Sequence, residues 1–492
     1  MYRLAGSLLA LFLSISAFGA SPALGAYNGG GSGGGSGGAA AWMYDPSVVV
    51  DINLQIADIT QVSCNMRDPR PFVPATFTLT YTKTARGRST ITRYGPWVIG
   101  VHAKGYYGSF RCLQDDKAGL KLKFSNSSQR IDGIKKLTLN NMVQDGSMSR
   151  EAISYEAFRS MGIAAPRTGY ARVVVNGEPK GLYLNLETYD DVMLARWFPT
   201  TQHLYEGSYG LITWDGWCCT NDAYSPHYEV DEGDDVDRSD LQNLLSTAQN
   251  FSDGWYARMA PIANLEQMTR MWALEAYLGH WDGYSQFITN NYFIHFDGYG
   301  IATMHPWGMD NSLQGAPRYD FSGEHFIFNG CVADPICASM YTDALRAVNT
   351  KIKSLRLNER AEKIAMVVGT YCGCDASGNV SFLETMATDY DSYETSFPAK
   401  PRTITVTSSR GATKVSWSPP SSIAGITGYA IEYRSTQNRN TLGAWTRVLA
   451  SALSRSATLT ALPASTYEFR VRSVIDREHT SLPITKSNIR IR

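Results

Sequence analysis

Ser149-Arg150-Glu151-Ala152-Ile153-Ser154-Tyr155-Glu156-Ala157-Phe158-Arg159-Ser160-Met161-Gly162, then Arg172-Val173-Val174-Val175-Asn176-Gly177 and Gly181-Leu182-Tyr183-Leu184-Asn185-Leu186, is where the hydrophobic period of the chain changes. Ser149 can cap a helix, and Ile153, Ala157, Phe158 and Met161 recur at helical spacing, so a helix is expected that ends at Gly162. The two β-type runs that follow are joined through Asn176-Gly177, the dipeptide that best tolerates the positive φ angles of a tight hairpin. Helix and hairpin in one unit point to an α+β chain.

Upstream, Val48 to about Phe124 is alternating and rich in Val, Ile, Thr and Tyr, as in Phe77-Thr78-Leu79-Thr80-Tyr81-Thr82 and Trp97-Val98-Ile99-Gly100-Val101, which predicts a β-rich lobe. Downstream, helices are expected near Tyr189 and Asp240. Asn264 can cap another, whose apolar positions Leu265, Met268, Met271, Trp272, Leu274 and Leu278 close at Gly279. His280-Trp281-Asp282 comes next. Asn291 to Phe296 and Ile301 to Met304 read as a second hairpin turned by Asp297-Gly298-Tyr299-Gly300, and mostly helical sequence runs on to about Ala387. After Pro398, short strands such as Thr413 to Ser416, Tyr429 to Tyr433 and Tyr467 to Val474 predict a small all-β module.

At 492 residues the chain exceeds what one hydrophobic core usually supports. Its 45 basic and 45 acidic residues balance, so no global field draws in nucleic acid or an anionic membrane. Arg3, the apolar run Leu8 to Phe18 and the small residues up to Ala26 have the layout of an export signal. That run is shorter than the roughly 20 residues a membrane span needs, and no later stretch qualifies. The expected order is an export signal at 1–26, a flexible Gly/Ser-rich tether at 27–43, a core domain at 44–397 and the all-β module at 398–492. A secreted or cell-surface location follows. There the eight cysteines, Cys64, Cys112, Cys218, Cys219, Cys331, Cys337, Cys372 and Cys374, are expected to form disulfides. Zinc at Cys331, Cys337, Cys372 and Cys374 is the weaker alternative, since the spacings fit poorly with C-x2-4-C knuckles.

Two carboxylates stand beside tryptophans at element ends, Asp282 after Trp281 and Asp310 in Trp307-Gly308-Met309-Asp310, where they can point into a shared cleft. Phosphoryl transfer needs few groups: a carboxylate to orient the hydroxyl, oxygens for magnesium, and a lysine against the phosphates. Asp282, Asn291, Asp310 and a lysine can supply them. An isolated aspartate near a helix end is more often a cap or a turn former, so order and surroundings decide. There is no G-x-G-x-x-G or Walker loop at a strand-to-helix junction, which disfavours an ordinary kinase or P-loop enzyme. The acidic run Glu229 to Asp240 lacks the order of a calcium loop and is expected to be a solvated loop and helix start. His280 has no serine or cysteine elbow beside it and is read as structural.

The terminal module resembles a fibronectin type III domain in Val415-Ser416-Trp417-Ser418-Pro419-Pro420, Gly428-Tyr429-Ala430-Ile431-Glu432-Tyr433 and Leu462-Pro463-Ala464-Ser465-Thr466-Tyr467-Glu468-Phe469-Arg470-Val471. Trp417, Tyr433 and Leu462 are accordingly core residues. From about Asp51 to Phe397 the chain resembles the CotH family of secreted and spore-coat kinases. The resemblance rests on several motifs in order: Val101-His102-Ala103-Lys104-Gly105-Tyr106-Tyr107-Gly108-Ser109 with Leu120-Lys121-Leu122-Lys123-Phe124; Ser147 to Glu151, Gly162 to Arg167 and Gly181-Leu182-Tyr183 with Glu187; then Trp281-Asp282, Asn291-Tyr292-Phe293-Ile294 and Pro306-Trp307-Gly308-Met309-Asp310-Asn311-Ser312.

The resemblance implies an atypical bilobal protein-kinase-like domain with a β-rich N-lobe and a helical C-lobe, followed by the all-β sandwich. It further implies transfer of phosphate from ATP, with magnesium or manganese, to a serine or threonine hydroxyl of a protein substrate. Asp282 would be the catalytic-loop carboxylate, Asp310 the principal metal ligand assisted by Asn291, Lys121 or preferably Lys123 the phosphate contact, and Glu151 the residue orienting that lysine. Glu187 would lie near the nucleotide base; capping a helix at Thr188 or Tyr189 is its alternative. Gly308 stands where some relatives place an additional acid, which leaves a catalytically inactive surface-adhesion or binding protein as the alternative reading. A carbohydrate-active enzyme would need Asp282 and Asp310 as its carboxylate pair and would leave the asparagine and lysine unexplained.

Overall fold

The computed structural model describes residues 38, 40–66, 70–85, 88–106, 108–207, 228–315, 319–323, 325–409, 411–438 and 441–492. The export signal expected at 1–26, residues 27–37 of the tether, and Cys218 with Cys219 lie outside the described residues.

The β-rich lobe is a closed seven-stranded barrel. Strands β1 (Val49–Gln55), β2 (Val73–Ala85), β3 (Arg88–Lys104), β4 (Gly119–Lys123) and β5 (Lys136–Asn140) form an antiparallel run, and helix α1 (Arg150–Ser160) leads to the hairpin of β6 (Thr168–Val175) and β7 (Glu178–Leu186). The hairpin turns at Asn176 and Gly177, with φ of 51° and 84°. β7 pairs with β5, and β6 pairs in parallel with β1 from Val49↔Tyr170 to Leu54↔Val175, so no sheet edge remains. Strand alternation predicts strands but not closure, which depends on this one long-range pairing. β1 turns Val50, Ile52 and Leu54 into the barrel core. Packed chain begins before residue 44: Ala40 and Met43 are buried in the same core.

α1 belongs to a different core. Its Ile153, Ala157 and Phe158 pack among the helices of the second body. Ser149 stands at its N-cap position but makes no cap bond; its hydroxyl accepts from Asn379 Nδ2 at 2.8 Å, while Asp145 accepts from the Arg150 N–H at 2.8 Å. After the short α2 (Asp191–Leu194), β8 (His203–Gly207) and β9 (Tyr228–Glu232) precede α3 (Ser239–Ala248), α4 (Trp255–Met259) and α5 (Leu265–Tyr277). β10 (Tyr292–Phe296) and β11 (Ala302–Pro306) complete an antiparallel sheet of order β11-β10-β8-β9. Helices α6 (Phe326–Ala333), α7 (Pro335–Leu355), α8 (Leu357–Cys372) and α9 (Ser377–Glu394) close the body. The acidic run expected as a loop and helix start is in fact strand over Tyr228–Glu232, paired to β8, before α3 begins. Disulfides join Cys64 to Cys112, Cys331 to Cys337 and Cys372 to Cys374, which uses all four cysteines of the zinc alternative. Among the described residues no helix is long and apolar enough to cross a membrane.

The terminal module is a sandwich of β12 (Thr403–Ser409), β13 (Ala412–Ser418), β14 (Gly428–Asn438), β15 (Thr441–Leu442), β16 (Thr446–Ser451), β17 (Ser456–Thr460), β18 (Ser465–Val474) and β19 (Ile484–Ile491). Val415, Trp417, Tyr429, Ile431 and Phe469 fill it, and the Tyr467 hydroxyl donates to the Pro463 carbonyl at 3.0 Å, tying the strand entry to the loop before it. The module is docked on the helical body. Trp445 is buried in the helical core, with the Arg434 and Arg470 guanidinium carbons 4.2 and 3.9 Å from its ring. Fully buried Arg472 pairs with Asp343 of α7 at 2.5 Å and with Glu432 at 2.9 Å.

That pairing has a pH signature. Burial alone would raise the Glu432 pKa, but the Arg472 and Arg447 charges outweigh it and bring it to about 2. A depressed carboxylate stabilises the fold fully above its unfolded pKa, about 4.3, and loses that contribution as pH falls towards 2. Denaturant titrations from pH 7 to pH 2.5 are therefore expected to show this contribution intact at pH 5 and fading below about 4.5. Glu432→Gln should flatten that part of the profile, and an unchanged acid limb would exclude the pair as its source.

Candidate active site

The loop that carries Asp282 is held from beneath by α5. Asn264 caps that helix, accepting from the Gln267 N–H at 3.1 Å, and Gly279, at φ 60°, turns the chain out of it. Buried Glu275 in the last turn accepts from the N–H groups of Tyr284 at 3.0 Å and Ser285 at 2.9 Å, and from the Ser285 hydroxyl at 2.7 Å. Glu275 was not among the candidates, yet it falls in phase with Met268, Met271 and Trp272, a charged residue on an apolar stripe.

Asp282 is buried, with one oxygen hydrogen-bonded and the other in an ion-pair contact with a histidine whose Nε2 also meets the Gly308 carbonyl at 3.1 Å. Asn311 Nδ2 donates to Oδ2 at 2.9 Å, and His280 Nε2 lies 3.0 Å from Oδ1. Burial would discharge the His280 ring, but the bond to Asp282 and the charges of Asp282 and Glu275 outweigh it and raise its pKa. His280, read as structural, is thus paired with the candidate carboxylate.

Asp310 sits in a one-turn 3-10 segment, Met309–Asn311, directly after β11. Burial and then the charge of Asp282 push its pKa up to about 7, against the pull of Lys104 and His280. α1 braces this segment: Arg150 Nη1 donates to the Asp310 carbonyl at 3.2 Å, and the Ser154 and Ser312 hydroxyls are 2.7 Å apart. Asn291, at φ 55° just before β10, donates through Nδ2 to the Asp282 carbonyl at 3.3 Å, so its amide oxygen is left as an acceptor facing Gly308.

Gly308 explains its own lack of a side chain. Its φ is 51°, and a Cβ there would come within 2.4 Å of Asn291 Oδ1. An acid at 308 and the observed Asn291 amide are mutually exclusive. Were Asp310 and Asn291 to hold a metal, Gly308→Asp would be expected to weaken its binding by about tenfold or more rather than to supply a missing ligand, because it displaces Asn291 and strains a left-handed backbone. Metal titration followed by activity or calorimetry checks this; tighter binding in the variant would refute it.

Among the described residues, no group of three or more His, Cys, Asp or Glu side chains forms a metal cage. Magnesium does not require one, being held by one or two carboxylates with phosphate oxygens and waters. Asp310 and Asn291 offer hard oxygen donors of that kind, and the raised Asp310 pKa marks a carboxylate whose burial and Asp282 neighbour outweigh the positive charges of Lys104 and His280.

On the barrel side, the lysine nearest these carboxylates is Lys104, the last residue of β3. Its ammonium stands 5.3 Å over the Trp307 ring and 3.4 Å from Asn140 Oδ1. Burial lowers its pKa against the pull of Glu151, Glu206 and Asp310. The pairings Lys104↔Gly119, His102↔Lys121 and Gly100↔Lys123 place the three lysines on one face, stepping away from the carboxylates. Lys121 is half-buried and faces Asp231, Glu206 and Glu229, whose charges outweigh burial and raise its pKa. Lys123 is exposed, 5.4 Å from the Phe72 ring and, at about 3.4 Å per residue, about 13 Å along the strand from Lys104's position. The preferred lysine is thus the one farthest from the site. Lys104 stood in the quoted lysine-glycine turn, and only the strand register separates it from the other two.

Glu151 of α1 is buried beside this lysine, accepting from Asn140 Nδ2, and burial and the Asp310 charge raise its pKa to about 8. Glu187 is committed elsewhere. Arg167 Nη2 donates to it at 2.7 Å and Arg196 Nη2 at 2.5 Å, burying the carboxylate in an ion triad, while Asp190 caps α2. The capping role expected as its alternative belongs to Asp190, and the Glu187 oxygens are occupied by arginines.

A family model described as CotH kinase protein matches residues 102–378, and one described as fibronectin type III domain matches residues 399–487. Among curated relatives, the inner spore coat protein H of Bacillus subtilis (strain 168) is 23% identical over 185 residues, 36% of this chain and 50% of that protein. The inner spore coat protein H-like protein of the same organism is 31% identical over 74 residues, 15% of this chain and 23% of that protein. The chain therefore spans half the length of the first and less than a quarter of the second. Among solved structures, a computer-redesigned β-sandwich protein is 26% identical, covering 18% of this chain and 87% of its own, with a TM-score of 0.16. The FN1-FN3 domains of chicken CNTN1 are 25% identical, covering 18% of this chain and 31% of their own, also at 0.16.

Proposed function

The chain belongs to the CotH kinase family, and on that premise we propose that it transfers phosphate from ATP, with magnesium or manganese, to a serine or threonine hydroxyl of a protein substrate outside the cytoplasm. In this reading the barrel and the helical body are the two lobes of an atypical kinase. The observation that carries it is the meeting of Asp282, oriented by Asn311 and His280, with Asp310, braced by α1, across from Lys104.

Asp282 accepts the hydrogen bond of the incoming hydroxyl and fixes its direction of attack. Its ion-pair partner His280 holds the carboxylate against rotation. Asp310 and the amide oxygen of Asn291 would hold the metal, and Lys104 would meet phosphate oxygens. A magnesium ion held there would supply positive charge to offset that of the transferring phosphoryl group. Glu151 and Asn140 keep the lysine in place, and burial strengthens each of these contacts. The three disulfides support an oxidising, extracellular or cell-surface setting, where the docked fibronectin-like module offers a surface to a protein partner.

The test is transfer of label from radioactive ATP with magnesium or manganese to a protein acceptor, comparing the native chain with Asp282→Ala and Asp310→Ala. Absence of both transfer and nucleotide binding in every form overturns the kinase reading and leaves a binding scaffold.

A further inference from the structure

The groups facing the phosphate site are divided between two hydrophobic cores. Lys104 ends β3 of the barrel, whereas Glu151 rides on α1, whose apolar face packs into the helical body. Among the described residues no direct ion pair joins them; between them stands Asn140, the last residue of β5 and almost fully buried. Its amide nitrogen donates to Glu151 Oε2, and its oxygen accepts from Lys104 Nζ at 3.4 Å. Each end of the amide meets the partner of matching polarity, so a flipped amide would face two like partners. The next residue, Asn141, donates to the carbonyls of Ser109 and Lys117, both at 2.9 Å, and pins the turn that follows Lys104.

We propose that Asn140 is a positioning residue that couples barrel to helical body, aligning the Lys104 ammonium with the carboxylate side through Glu151. This rests on the kinase reading. It assigns to a neutral amide part of the lysine-orienting role that the family resemblance implies for Glu151 alone. A neutral relay suits this place, because a second carboxylate at 140 would stand against Glu151 and a second cation against Lys104.

The experiment is a double-mutant cycle read by ATP titration on the full chain, with melting curves to establish folding. Asn140→Asp keeps the shape, removes the donor and opposes two carboxylates. It is expected to weaken ATP binding about tenfold or more, about 1.4 kcal/mol. Combined with Glu151→Gln, the donor and acceptor at 140 and 151 are exchanged, while the oxygen facing Lys104 is kept. Binding should then return to within about threefold of the native chain. Asn140→Ala, which removes both bonds without adding charge, should weaken binding in the same direction and serves if Asn140→Asp does not fold. No ATP binding by the native chain removes the kinase reading and this inference together. Native binding that the Asn140 variants leave intact, or a loss that Glu151→Gln does not relieve, overturns this inference alone.

Discussion

On the proposed kinase reading, Asp310→Asn is expected to reduce phosphate transfer on the order of 10³-fold, about 4 kcal/mol of transition-state stabilisation, while leaving the metal-free fold as stable or more stable at pH 8. The two halves of this expectation have one cause. Asp310 is buried beside Asp282, and burial with that like charge raises its pKa to about 7. A carboxyl whose folded pKa lies above its unfolded value near 3.9 is neutral in both states at low pH, and it disfavours the fold progressively as pH rises through its folded pKa. At pH 8 the native chain without metal therefore holds an anion that Lys104 and His280 compensate only in part, and the neutral amide removes it. Arg150 bonds the backbone carbonyl of residue 310 rather than its side chain, so the bracing by α1 survives the substitution. The measurement is label transfer beside thermal melting in chelator at pH 5 and pH 8. The native chain should gain more from added magnesium at pH 8 than the variant does. A variant that retains transfer, or that melts well below the native chain at pH 8 in chelator, would show that Asp310 is not a strained metal ligand.

The parts of this site that were legible in the sequence are those fixed by local chemistry. Asn264, Gly279 and the helix between them follow from capping and period, and they deliver Asp282 to the mouth of the loop. Asn176-Gly177 turns its hairpin as its φ preferences require, and Asp297 closes the β10–β11 turn by accepting from the N–H groups of Tyr299 and Ile301. What stayed hidden depends on register and on long-range partners. Lys104, Lys121 and Lys123 are equivalent as residues on a strand face, and only the pairing of Lys104 with Gly119 puts one of them at the end that meets α1. Glu187 has the position of a site residue, but Arg167 and Arg196 take its oxygens. Closure of the barrel turns on β6 finding β1 across the whole lobe, a contact that no local pattern encodes. Gly308 could be read as a lost acid until Asn291 was seen to occupy the space that its side chain would need.

Arg472→Met should destabilise the chain by about 3–5 kcal/mol, the largest stability effect anticipated for a single substitution here. The terminal module would be a free spacer if its surface met the helical body only through exposed charges, since such pairs contribute about 1 kcal/mol or less. Arg472 is not of that kind. Fully buried, it donates to both oxygens of Asp343 on α7, at 2.5 and 2.8 Å, and to Glu432 of its own sheet at 2.9 Å. Removing the guanidinium leaves Glu432 buried with Arg447 as its remaining partner and strips Asp343 of its bidentate contact. Trp445 then loses the alignment that holds it in the helical core, where its backbone N–H donates to the Tyr256 hydroxyl at 3.3 Å and Arg434 reaches Glu266 at 3.2 Å. Core burial of an aromatic together with a buried ion network couples the two units, so the native chain should unfold in one cooperative transition. The variant should show the module's melting separated from that of the helical body. Two transitions already present in the native chain, with the first unmoved by Arg472→Met, would mean that the module folds and acts independently of the body on which it rests.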